Sequence, residues 1–249
     1  MSLELIAAEW PATHVVACST TRTGGVSDGV YASLNLGAHV GDRKEAVAEN
    51  RRRLVACCDL PSEPLWLNQV HGSYVIYSGA PAFRETTPNA DAIVSRDGRD
   101  VLGILTADCL PIMLCSTSRS EIAAMHCGWR SLSAGIVAET INSMASDPSE
   151  LLAWLGPAIS QPAFEVGDEV RDIFLAGIEN AATCFEPNDN GRWQADLYGL
   201  ASLYLAAAGV ERAYGGGHCT YTDEERFFSH RRDGQCGRLA TLIWSRGSP

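Results

Sequence analysis

The sequence predicts a mixed α/β fold in a single domain over residues 1–249, and three observations predict it. Apolar runs of strand length recur along the chain, at 112–115, 122–125 and 151–155. Helical patterns fall between and after them, with Val170, Ile173, Phe174 and Ile178 on one face and Leu197, Leu200, Leu203 and Tyr204 on another. No internal repeat, low-complexity segment or linker divides the chain. At 249 residues, 46% hydrophobic and 20% charged, the chain has enough apolar surface for a sizeable core.

Charge and composition narrow the function classes. A formal net charge of −11 argues against a general nucleic-acid binder, which needs a basic face. It leaves room for a small anionic ligand in a locally basic pocket. No apolar run approaches the length of a membrane span, so no membrane partner is expected. The first residues, MSLELIAAEWPATHV, lack a basic leader and carry Glu4 and Glu9, which makes a poor secretory signal. Nine cysteines without the dense spacing of a disulfide scaffold, several in apolar contexts (Cys18, Cys115, Cys184), point to free thiols in a reducing cytoplasm.

Taken in order, a short apolar strand leads into a Gly/Ser/Thr-rich loop at 18–35 that carries Arg22, Ser33 and Asn35. The loop lacks the Gly-Lys-Ser/Thr ending of a P-loop, so it is either a surface connection or an anion-lined wall with Arg22 as the fork. Asp42, with Glu45 three residues on, resembles a capping box opening a helix. Arg51, Arg52 and Arg53 then read as its solvated C-terminal end. Residues 65–75 alternate like a strand interrupted at His71-Gly72, which puts Gln69 and His71 on one side. A short strand at 92–94 follows. Trp129-Arg130 leaves a later strand, with Ser131 or Ser133 capping the next helix, and this sets Arg130 at a strand-to-helix junction suited to an anion. Asp196 caps a helix that stops at Gly209. Strands are expected at 215–221, 227–230 and 239–244, with Arg231 and Arg232 between the last two.

The chemistry concentrates between Thr106 and Trp129. A polar turn at 117–120 joins two apolar runs, and pairing Ser116 with Glu121 puts His126 opposite Pro111. Cys109 then lies one diagonal step away, about 7–8 Å between backbones, so thiol and imidazole reach a common point. His71 is the third candidate. No CxxC pair exists, and the spacing is not that of a structural zinc ladder. A His–Cys–His set from separate segments fits a catalytic zinc site with an open fourth position. It fits equally a metal-free pair with Cys109 as nucleophile and His126 as base. Buried filler is the third reading, and residue types alone leave all three open.

The blocks WLNQVHG, ADAIVS, TADCLPIML, MHCGWR, LGPAI and FFSHRRDG…GRLA, with the earlier TTRTGGVSDGVYASLNLGAHVGD, resemble in order the signature of one family. It is known both as the multicopper polyphenol oxidase (laccase-like) domain and as the purine nucleoside phosphorylase family. The resemblance covers nearly the whole chain. It implies sheets layered between helices, similar in architecture to bacterial toxin cysteine deamidases. It implies metal ligation by His71, Cys109 and His126, with zinc as the metal and copper as the alternative that the laccase name suggests. The implied activity is phosphorolysis of adenosine, inosine, guanosine or methylthioadenosine, with adenosine deamination beside it. Its partners are then a purine nucleoside and phosphate, with Arg22, Arg130, Arg231, Ser33, Asn35 and Gln69 as candidate contacts. The oligomeric state stays open, a monomer being compatible. Two residues depart from the family's HAGWRG, which here reads HCGWRS: Cys127 and Ser131. Cys127 falls on the opposite strand face from His126 and is not counted as a ligand. Multicopper chemistry needs a further histidine cluster, whereas His39, His218 and His230 are scattered.

Overall fold

The computed structural model describes residues 3–246. Its centre is a six-stranded sheet in the order β12-β8-β6-β7-β4-β3, formed by β3 (Val75–Tyr77), β4 (Ala92–Ser95), β6 (Leu110–Ser116), β7 (Ile122–Cys127), β8 (Leu151–Leu155) and β12 (Arg212–Gly215). The β6–β7 hairpin pairs Pro111 with His126, and Ser116 N donates to Glu121 O across the turn, as the apolar runs predict. Every residue of β4, β6, β7 and β8 is buried, which is why these strands read as continuous apolar runs without alternation.

Alternate residues of that sheet face two different cores. Ile112, Leu114, Ala123, Met125 and Cys127 pack with helices α2 (Trp129–Ser133), α3 (Ile136–Ser143), α4 (Asp168–Gly177) and α5 (Leu197–Ala207). Met113, Cys115, Ile122 and Ala124 pack instead on a second sheet, order β1-β2-β13-β5, built from β1 (Leu5–Ala7), β2 (Val15–Thr20), β5 (Leu102–Thr106) and β13 (Leu239–Ser245). The far face of that second sheet carries Cys18, Ala240 and Leu242 against Leu54 of α1 (Lys44–Cys58). The result is helix, sheet, sheet, helices in layers. A small sheet of β9 (Glu165–Val166), β10 (Phe185–Pro187) and β11 (Trp193–Ala195) and a one-turn helix α6 (His230–Asp233) complete it.

Several expectations are corrected. Residues 65–74 form no strand, only single bridges at Leu65 and Asn68, because the Val70, His71 and Gly72 amides donate to the Asp91 carboxylate instead of a ladder; β3 begins at Val75. The strands expected at 215–221 and 227–230 are absent. Gly215, Gly216 and Gly217 all sit at φ near +80°, which ends β12, and Ser229 caps α6. Asp42 caps nothing: α1 starts at Lys44, while the Asp42 carboxylate accepts from Ser27 Oγ and the Asn35 amide. Neither Ser131 nor Ser133 caps the helix at 136–143: both lie inside α2, which Gly128 precedes, and Gly135 precedes α3. Ile173 of α4 faces solvent while Val170 and Phe174 are buried. Arg51 is not a solvated helix end; it stacks on Trp66 and donates twice to Leu36 O, while Arg52 and Arg53 pair with Glu49.

Candidate metal centre

The chain passes from the second sheet to the central one between Thr106 and Leu110, and the candidate site is at that corner. Asp108 turns it at φ +91°, a left-handed conformation uncommon for a residue other than glycine. Cys109 enters β6 there. His126 lies at the same end of β7, on the face that β7 turns to the second sheet, and His71 reaches in from the irregular segment before β3. One ligand atom from each of His71, Cys109 and His126 lies within 4.8 Å of the others, and among the described residues this is the one such group of three. The imidazoles meet edge to face with centroids 4.7 Å apart. His126 is buried, Cys109 half-buried and His71 exposed, so the cluster opens to solvent on one side.

Asp91 builds this arrangement and was not singled out by residue type. Its fully buried carboxylate accepts from His126 Nδ1 at 2.9 Å, from the His71 amide at 2.9 Å and from the Gly72 amide at 2.7 Å. One carboxylate therefore folds the His71 turn and leaves Nε2 of His126 for the centre. In the sequence its one mark is an acid placed directly before the short apolar strand of ADAIVS. Gly128 supplies space: a Cβ there would lie 2.8 Å from Cys109 Sγ.

Electrostatics follow from the crowding. Burial alone would push the Cys109 thiol up, but the adjacent His126 charge and hydrogen bonds from both histidines bring it down to about 6. Burial opposes charge on His126 too, yet the Cys109 thiolate and the Asp91 carboxylate push it up to about 9. Burial would raise Asp91; its bonds from His126 and the Gly72 and His71 amides hold it below the usual carboxylate range. Cys127, on the opposite face, is driven up by burial and is a core thiol.

This donor set fits a metal. A thiolate and two imidazoles suit zinc, whose tetrahedral ligand atoms lie about 3.5 Å apart at Zn–S and Zn–N lengths of about 2.3 and 2.1 Å, a modest contraction of the observed spread. The remaining histidines lie apart from this group. His14 contacts Ser116 O, His218 packs on Phe227, His230 Nδ1 contacts Gly234 O, and His39 lines a cleft with Arg51, Trp66 and Asn68.

The other sequence candidates separate sharply. Asn35 is fully buried, its amide bonded to Gly37 O, Asp42 and the Gly37 and Arg238 amides. Ser33 Oγ donates to Arg22 O and accepts from the Gly25 amide. Gln69 clamps both backbone groups of Leu105. All three side chains are hydrogen-bonded within the protein. Arg22 lies over Phe228 and donates to Ala32 O and Glu224 O. Arg232 is spent on Thr220 O, Tyr221 O, Phe227 O and Asp233. Arg130 is exposed and stacked on Trp129. Arg231 is exposed, donates once to Glu165 O, and is anchored through its amide to Asp108, the neighbour of Cys109.

The layered fold and the His–Cys–His corner define an α/β protein with an open, metal-competent centre. Residues 16–246 match the model of the multi-copper polyphenol oxidoreductase laccase family, and the chain belongs to that family. It is 49% identical over 243 residues to the Escherichia coli (strain K12) protein named purine nucleoside phosphorylase YfiH, covering 97% of this chain and 98% of that one. It is 48% identical over 238 residues to purine nucleoside phosphorylase PA4543 of Pseudomonas aeruginosa, covering 95% and 96%. The crystal structure of Neisseria meningitidis protein NMB0706 superposes with a TM-score of 0.92 at 46% identity, covering 98% of this chain and 99% of that chain. YlmD of Geobacillus stearothermophilus gives 0.87 at 33%, covering 95% and 93%. The family expectation from the sequence motifs is thus met.

Proposed function

We propose that this chain is a zinc-dependent purine nucleoside phosphorylase of the cytoplasm, cleaving adenosine, inosine, guanosine or methylthioadenosine with phosphate. The observation that carries the reading is the convergence of His71, Cys109 and His126 on one solvent-open point, with His126 seated on Asp91. End-to-end identity of 49% to a protein named for that activity supports it.

His71 Nε2 or Nδ1, Cys109 Sγ and His126 Nε2 would hold the ion. Zinc bound there supplies a Lewis acid that stabilises negative charge on the reacting oxygens. Asp91 orients the His126 imidazole and fixes its tautomer, and holds the backbone turn that carries His71. Arg231 binds phosphate from the Asp108 side with the nitrogens left after its bond to Glu165 O. Copper is the competing metal. A histidine-and-thiolate set with one open position suits zinc without further histidines.

A second reading has an observation of its own. A Cys109 thiol brought down to about 6 beside His126 is the state of a thiol hydrolase nucleophile. Metal analysis combined with alkylation separates the two. The phosphorylase reading expects about one zinc per chain and slow alkylation of Cys109 until a chelator is added. Rapid alkylation of metal-replete protein, with chelator-insensitive amide hydrolysis, would overturn it.

A further inference from the structure

Three separate stretches of the chain are tied together at Asp108, and only one of them carries a candidate ligand. The Asp108 carboxylate is buried, and both of its oxygens are used. Oδ1 accepts from Thr220 Oγ1 at 2.7 Å, and Oδ2 accepts from the Arg231 amide at 2.7 Å. Its backbone oxygen accepts from the Ile159 amide at 3.0 Å. Ala158, beside Ile159, in turn bridges to Cys219 and accepts from the Thr220 amide. Thr106–Leu110, the LGPAI turn and the irregular 216–231 segment therefore share one polar knot.

The knot has a direction. Residues 216–229 have no strand of their own, so nothing in a ladder fixes where Arg231 stands relative to Cys109. The Asp108 carboxylate supplies that fix, reaching Arg231 across 123 residues of sequence. From the same anchor point the Arg231 guanidinium extends over Phe164 and onto Glu165 O. A left-handed residue at the corner is conformationally costly, and a structure keeps it where the surrounding bonds dictate it. Here those bonds run to Thr220, Ile159 and Arg231, the last an exposed arginine anchored on the neighbour of Cys109.

We infer that Asp108 is a positioning residue that holds the backbone of Arg231 beside the Cys109 corner, and thereby sets affinity for the phosphate that Arg231 receives. The inference rests on the phosphorylase reading for the identity of the anion. Asp108 touches neither substrate nor metal; it acts through Arg231.

The test uses the full-length zinc-loaded protein and its Asp108→Asn and Thr220→Val variants. Asparagine tolerates the left-handed corner and keeps one acceptor oxygen, but presents an NH2 where an oxygen now accepts. Valine removes the hydroxyl donor while keeping the shape. Hydrogen exchange is read at the Arg231 amide, inorganic phosphate binding is titrated directly, and the KM values for phosphate and nucleoside are measured separately. We expect Asp108→Asn to keep its zinc, to exchange the Arg231 amide faster, and to weaken phosphate binding about tenfold, as loss of a charge-assisted hydrogen bond implies. The nucleoside KM should stay within about twofold, and Thr220→Val should show a smaller change in the same direction. A zinc-loaded Asp108→Asn protein with unchanged phosphate binding would overturn the inference, as would equal losses in both KM values, which a general loosening of the fold produces. Wild-type protein that binds phosphate but cleaves no nucleoside would sink the phosphorylase reading while leaving the Arg231 comparison intact. Wild-type protein that binds no phosphate would overturn the inference itself.

Discussion

The corner that holds Cys109 and the Gly/Ser/Thr-rich loop at 21–35 are both rich in polar side chains and end in opposite states. In the loop, Asn35 and Ser33 spend their hydrogen-bonding capacity on backbone, on Asp42 and on each other's neighbours, and Asn50 of α1 adds bonds to Ser33 O, Asn35 O and Ser27. At the corner, the supporting bonds come from Asp91 and Asp108, and the lone pairs of three soft donors are left facing one point. Polar residues in a sequence mark function only when something else satisfies their surroundings and leaves their reactive atoms unspent.

The comparison breaks most severely through the ligands. His71→Ala, Cys109→Ala and His126→Ala should each lose metal affinity by more than about a hundredfold, beyond the range seen for supporting residues, and lose turnover with it. Metal content of the freshly purified variants checks this, and a variant that keeps full zinc removes that residue from the site. Asp91→Asn comes next. It keeps an oxygen for one donor but loses the charge that holds the His71 turn and His126 together, so metal affinity should fall about 10- to 100-fold. Competition with a graded series of chelators measures it.

Arginines sharpen the contrast within the site. Arg231→Lys replaces a fork by a point charge and should raise the phosphate KM about tenfold. Arg130→Lys, at a side chain stacked on Trp129 outside the Asp108 knot, should leave it within about twofold. Equal effects in steady-state assays would move the anion site toward Trp129.

The loop should respond in stability and not in catalysis. Asn35→Ala strands the Gly37 and Arg238 amides in a buried position, so unfolding free energy should drop by about 2 kcal/mol. The KM values of the folded variant should be unchanged. A large nucleoside KM effect at unchanged stability, read from denaturant titration beside kinetics, would return Asn35 to the substrate site.

Much of this was legible from residue order. The β6–β7 register follows from two apolar runs and a four-residue polar turn, and it alone brings Cys109 beside His126. The Asp196 cap and the stop at Gly209 are local chemistry and were equally readable. What sequence periodicity missed was non-local. Residues 65–75 alternate like a strand, but the Asp91 carboxylate, 19 to 21 residues on, takes their amides and curls them into a turn. Alternation puts Gln69 beside His71 but does not show its hydrogen-bond partner, Leu105, 36 residues away. Asp91 and Asp108 escaped notice for one reason: a buried carboxylate shows its purpose only when its donors are seen together.

The central claim, that the His–Cys–His corner serves phosphate-dependent cleavage of a purine nucleoside, is tested most directly by product analysis. Metal-replete protein is given adenosine with and without inorganic phosphate, before and after chelation, and adenine and ribose 1-phosphate are quantified. The account predicts the two products in equal amounts, a sharp fall when phosphate is omitted, loss on chelation and recovery on adding zinc. Adenine that forms without phosphate, or ribose 1-phosphate that still forms after the metal is stripped, would contradict it.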